Sequence, residues 1–262
     1  MKYGFQLLIA ICIITGTARA ADDPFSGKWK LDSSQSELPA DTMKVALVSA
    51  NKYTFIFSEP KSETIVTDGT DQPGIDGTTL AVTAQGPRAW VVVRKKKEGS
   101  MILKAIWTLS DDGKTLRDLF TGYQPDGSPF TVDYLYQRKA AGSGFVATWE
   151  SIHEVFVSPY IVQIQPYQGD GFSLTDPVGG VDKNLKLDGN DYPNSGPNAS
   201  PDMLSSGRGI SDRKLELTNK LKDKIQSTDD FELSPDLQIL TETQHFPDQG
   251  RPPVILVFKR EK

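Results

Sequence analysis

From Phe25 onward the chain states one pattern twice, the second time displaced by about 120 residues, and a duplication of that length restricts the fold to two copies of one architecture. The first copy opens Phe25-Ser26-Gly27-Lys28-Trp29 and carries Asp68-Gly69-Thr70-Asp71-Gln72-Pro73; the second opens Phe145-Val146-Ala147-Thr148-Trp149 and carries Asp188-Gly189-Asn190-Asp191-Tyr192-Pro193. Leu109-Ser110-Asp111-Asp112 recurs as Leu233-Ser234-Pro235-Asp236, and the Pro125-Asp126 turn recurs at Pro247-Asp248 ahead of a terminal strand. The register drifts by a few residues, as loop insertions require.

Ahead of the first copy, Lys2, the apolar run Leu7 to Ile14 and Thr17-Ala18-Arg19-Ala20 read as a secretory leader over residues 1–20, which places the mature protein in the periplasm or outside the cell. Cys12, the only cysteine, leaves with that leader, so no disulfide and no thiolate chemistry is expected; lipid anchoring is disfavoured because Ile11 stands where a small residue is wanted. No second long apolar run follows, so no transmembrane segment is expected in the mature chain. Loss of Lys2 and Arg19 moves the formal net charge from -5 to -7, which argues against nucleic acid or an acidic membrane as partner.

Period-2 alternation organises both units. Met101, Leu103, Ala105, Trp107 and Leu109 share one face of a strand whose other face carries Lys104 and Thr108, and 89–94, 115–123 and 130–138 read as its neighbours in a meander. Earlier strands are expected over 52–57, 62–66 and 78–83, with a loop at 69–77. Ala140-Ala141-Gly142-Ser143-Gly144 reads as the joint between units at 21–140 and 145–262. In unit two, Leu215, Leu217, Leu221 and Ile225 share the parity of one strand over 214–225, with a helix as the alternative, since three of them are spaced by four. The Asn, Pro, Gly and Ser-rich stretch 188–208 reads as a long loop or flap. Val254 to Phe258 closes unit two.

Eight to ten short strands per unit with tight turns favour an all-β chain of two tandem antiparallel meander barrels, with two-sheet sandwiches as the alternative. The opening Phe-x-Gly-x-Trp-x-Leu-Asp over 25–32 resembles the start of the lipocalin-like, calycin-type β-barrel domains of secreted bacterial proteins, although unit two departs from it with Ala147 at the glycine position while Trp149 is retained. What the resemblance implies is a tryptophan plugging one barrel end and a cavity for a small apolar or amphipathic molecule. The closing strand resembles that of the intracellular fatty-acid-binding barrels, in which an Arg-x-Tyr pair holds a carboxylate; here the order is reversed as Tyr136-Gln137-Arg138. The implied site has Arg138 or Arg94 gripping an anionic headgroup, with Trp107, Tyr134 and Tyr136 supplying apolar area.

Catalysis and metals have little to stand on in the sequence. His153 and His245 are the only histidines, without ligand-like spacing to each other or to Glu154 and Asp248, so no metal and no cofactor is expected. No Gly-x-Ser-x-Gly elbow is present to support a hydrolase, and no pair of carboxylates is singled out. Arg94-Lys95-Lys96-Lys97 reads as a cationic hairpin end rather than an anion patch. The expected protein is an exported, non-enzymatic binder using a barrel or the cleft between the units; its rival is a solid structural or protein-interaction module.

Overall fold

The computed structural model describes residues 23–262 except 39, 59–60, 125–126 and 248–251. The leader, Cys12 and the turn residues Pro125, Asp126 and Asp248 lie outside the described residues. Twenty strands run in chain order: β1 (Gly27–Leu31), β2 (Thr42–Ser49), β3 (Lys52–Ser58), β4 (Lys61–Val66), β5 (Gln72–Pro73), β6 (Thr79–Ala84), β7 (Ala89–Lys95), β8 (Met101–Leu109), β9 (Thr115–Tyr123) and β10 (Pro129–Arg138) in the first half. The second half holds β11 (Ala147–Phe156), β12 (Ile161–Tyr167), β13 (Gly171–Thr175), β14 (Lys183–Lys186), β15 (Tyr192–Pro193), β16 (Met203–Ser211), β17 (Lys214–Leu221), β18 (Lys224–Leu233), β19 (Ile239–His245) and β20 (Val254–Arg260). They form two ten-stranded antiparallel sheets, each curled into a nearly closed barrel, as the meander pattern predicts.

The sheets do not follow the division at 140–145. Barrel one consists of β2 to β11, and barrel two of β12 to β20 plus β1. Ala140 to Gly144 therefore lies in the hairpin connection between β10 and β11, which pair directly from Val132↔Phe156 to Arg138↔Trp149. The physical reason is loop closure: β11 follows the last strand of its predecessor after a few residues and can occupy that open edge at small entropic cost. The remaining strand, β1, then closes the other barrel between β12 and β20, pairing Trp29 with Val162 and Arg260. The chain crosses between barrels at 32–41 and 157–160 instead.

Each motif tryptophan consequently plugs a barrel, but Trp29 plugs barrel two and Trp149 barrel one, both at 0% exposure. Trp149 Nε1 donates to Phe145 O at 3.0 Å and Trp29 Nε1 to Phe25 O at 2.8 Å. An arginine from the closing strand covers each ring: Arg138 lies 4.3 Å from the Trp149 ring centroid and Arg260 4.0 Å from that of Trp29. Gly27 has φ +149, and a Cβ there would lie 2.7 Å from Arg260 Nη1, which explains the glycine of the motif. Ala147 takes that place in barrel one, yet Arg138 still reaches Trp149, so the glycine is dispensable there.

Two elements of unit two differ from the alternation. Residues 214–225 are not one strand, because Lys222 and Asp223 adopt positive φ (50 and 61) and turn β17 into β18; Leu215 and Leu217 enter the core while Ile225, beyond the turn, is 42% exposed. Nor is 188–208 all loop, since β16 begins at Met203. Its Gly207 is a packing requirement: a Cβ there would stand 2.7 Å from Leu185 and 2.8 Å from Leu217. The near-closure of each barrel is local. In barrel one the Gln72 side chain bridges to the end of β4, accepting from Val66 N at 2.8 Å and donating to Val66 O at 2.7 Å. In barrel two Asp182 and Ser195 exchange both backbone hydrogen bonds.

Candidate functional site

Barrel one encloses a cavity of ≈ 280 Å³ above an aromatic floor. Phe145 stacks on Trp90 with centroids 3.9 Å apart, and Trp107 lies 6.2 Å from Trp90, so large rings fill the plugged end. Above them Ala105 is the small residue on the inward face of β8, and the walls rise through Met43, Phe57, Leu80, Val92, Leu103 and Phe120. Ile75, in the short 3-10 turn Ile75–Gly77, overhangs the cavity. That turn is held by Glu63, which accepts from Ile75 N at 3.0 Å, and by Thr78, which accepts from Arg94 Nη1 at 2.8 Å.

Four of the five residues singled out in the sequence meet here: Arg94, Trp107, Tyr134 and Tyr136 all line the cavity. Trp107 is both core and lining, 1% exposed yet facing the hollow. Arg138 lies elsewhere. Its guanidinium donates to the carbonyls of Gly113, Val146 and Gly144 and covers Trp149, so it fastens the plugged end. Arg94 is buried against Glu63 in a two-pronged ion pair, so its charge is already neutralised. The basic run divides accordingly: Arg94 points in, Lys95 pairs with Asp71 at 2.8 Å, and Lys96 and Lys97 are exposed.

The group that sequence reading missed is Asp118. It sits on β9 between inward-facing Leu116 and Phe120, 7% exposed, directly across the ladder from Trp107. Among the described residues, Asp118 Oδ1 and Trp107 Nε1 are the buried side-chain polar atoms without a hydrogen-bond partner. Desolvation pushes the Asp118 carboxyl up to about 7; the nearby indole N–H opposes the rise only in part, and Asp133 adds to it. Two further acids stand near this end of the barrel. Asp41 lines the rim, and Glu154 on β11 is pushed up to about 7 by burial and by Asp41, with Tyr134 opposing by hydrogen bonding. Burial and these carboxylates also raise the hydroxyl pKa values of Tyr134 and Tyr136.

The matching interior of barrel two is complete in itself. Lys183 Nζ lies 3.5 Å from Asp229 Oδ2, Ser227 Oγ donates to Asp229 Oδ1 at 2.8 Å, and the Asn219 amide links Asp229, Ser227 and Ser205. Glu242, the counterpart of Asp118 along the repeat, is pushed up to about 7 chiefly by burial, with Asp229 adding and Lys183 opposing, and it accepts from Gln244 at 2.7 Å.

A second, wider hollow of ≈ 570 Å³ lies at the mouth of barrel one, where Leu103 and Phe120 meet Val178 and Asn198 of barrel two. The two histidines stand apart, His153 on β11 of barrel one and His245 on β19 of barrel two. Among the described residues there is no group of three or more His, Cys, Asp or Glu side chains arranged to hold a metal, and no helix long and apolar enough to cross a membrane. No protein-family model matches the chain, and a search of curated proteins returns no match.

Proposed function

We propose that the protein is an exported, non-enzymatic carrier or sensor that holds one small amphipathic molecule inside barrel one, with barrel two, whose inward polar groups bond to one another, as a stabilising partner. The observation that carries this reading is the unpartnered pair Asp118 Oδ1 and Trp107 Nε1 on the wall of an otherwise apolar cavity. A buried polar group without a partner costs about 1–3 kcal/mol, and a ligand that supplies the missing partners recovers that cost. Size limits the ligand. A cavity of about 150 Å³ takes benzene, so ≈ 280 Å³ has room for a substituted single ring or a short branched chain, and a longer body would have to extend into the wider hollow at the mouth. The lipocalin-like character and the leader support export but add nothing about the ligand's identity.

Calorimetric titration with 2-phenylethanol tests the site. The wild type is expected to bind one equivalent, and Ala105→Leu, which fills the hollow from its floor, is expected to bind none while keeping its β-sheet circular dichroism. Absence of binding to the wild type, or equal binding by both proteins, overturns the reading.

A further inference from the structure

The binding reading leaves open what charge the ligand carries, and three observations bear on it. First, among the described residues the cavity lacks an available protein cation: Arg94, the basic residue on its wall, is held by Glu63, so the polar lining that remains is Asp118, Thr42, Tyr134 and Tyr136, with Asp41 at the rim. Second, the lining is rich in aromatic residues, Phe57, Trp107, Phe120, Tyr134 and Tyr136, and a cation is attracted to an aromatic face within its reach. Third, barrel two places a cation inside itself. The repeat positions that carry Glu63 and Ala105 in barrel one carry Lys183 and Asp229 in barrel two, where the lysine ammonium reaches the buried carboxylate from within the wall. Barrel one keeps a buried acid and omits the ammonium.

We propose that the ligand of barrel one is a small primary or secondary amine with an aromatic or branched apolar body, its ammonium taking against Asp118 the place that Lys183 takes against Asp229. The inference rests on the binding site proposed above and reverses the anionic headgroup expected from Arg94 and Arg138. Trp107 Nε1 is then free to donate to a hydroxyl or ether oxygen on the same ligand. Binding an ammonium favours the ionised carboxylate, so a protonated Asp118 must release its proton on binding. The charged and titratable groups on the inner side of the wall near Asp118 are Asp41 at the edge of β2, Glu63 and Arg94 as a neutral pair from β4 and β7, Tyr134 and Tyr136 from β10, and Glu154 from β11, while Asp133, on the other face of β10 and paired with Arg117, acts through the wall.

The test is calorimetric titration of the mature protein with 2-phenylethylamine, 2-phenylethanol and 3-phenylpropionate, which share one apolar body and differ in charge. At pH 8 the amine is expected to bind at least about tenfold more tightly than the alcohol, a difference of about 1.4 kcal/mol, with the carboxylate weakest. Near pH 6, amine binding measured in two buffers of different ionisation enthalpy should release up to one proton, and the alcohol none. Asp118→Asn should bring amine and alcohol to equal affinity and abolish the proton release. If the alcohol or the carboxylate matches the amine, or if Asp118→Asn keeps the preference, the amine assignment falls and the binding site stands. If none of the three enters, both fall.

Discussion

The two barrels share a scaffold down to their fastenings and differ in what fills them. Both are plugged by a tryptophan whose indole donates four residues back, and both cover that ring with an arginine from the closing strand. Both stabilise corresponding turns in the same way: Asp68 and Asp188 accept from the backbone two residues on, and Ser110 and Ser234 donate to Asp112 and Asp236. Inside, barrel two joins Lys183, Asn219, Ser227 and Asp229 into one bonded cluster, whereas barrel one keeps an ion pair at its wall, an alanine at its centre and an acid with one unpartnered oxygen. A duplicated fold can thus keep its fastenings and differ in the polar groups that it turns inward. Substituting a few inward positions is enough, because the scaffold is held from the plugged end.

The largest expected effect tests which barrel each tryptophan supports. Trp149→Ala should cost about 3–5 kcal/mol and lower amide-exchange protection in β2 to β11, while Trp29→Ala should cost a similar amount in β12 to β20, although it lies in the first copy of the motif. Loss of protection in β2 to β10 on changing Trp29 would contradict the strand assignment.

A smaller effect concerns Asp118 and Glu242, two buried acids that are both pushed up to about 7. Asp118 has an ordinary value of 3.8 and is held at about 7 in the fold, so between those values the folded chain keeps a proton that the unfolded chain has lost. Stability therefore falls as pH rises through that window and stays lower above it. Asp118→Asn should remove this fall and raise stability at pH 8 by about 2–4 kcal/mol, read from urea midpoints at pH 5 and pH 8. Glu242→Gln in barrel two should flatten the same window, through the rise from 4.5 to about 7, without altering ligand binding.

Much of this was legible in the sequence, for reasons that also explain what was not. The alternation over 101–109 placed Ala105, Trp107 and Leu109 in the core, and inward parity on β10 brought Tyr134 and Tyr136 to the cavity. The partner of the first strand could not be read this way. Phe25 to Trp29 and Phe145 to Trp149 are near copies, so local sequence fits either barrel, and the choice is made by pairing with Arg260 at the far end of the chain. Asp118 did carry a signal: it interrupts the apolar face Leu116, Asp118, Phe120 of an otherwise regular strand, as Glu63 does before Ile65. An acid on the inward face of a strand was the better pointer than an arginine, since Arg138 proved to be a fastening and Arg94 half of an ion pair.

The assignment of binding to barrel one rather than barrel two is tested most directly by the four indole N–H resonances in a ¹⁵N correlation spectrum during titration with 2-phenylethanol. Trp107 reports on the cavity, Trp90 and Trp149 on the floor and plug beneath it, and Trp29 on barrel two. A saturable shift of the Trp107 signal with Trp29 unmoved is the predicted result. A shift of Trp29 equal to that of Trp107, or no shift at Trp107 at any concentration, would contradict it.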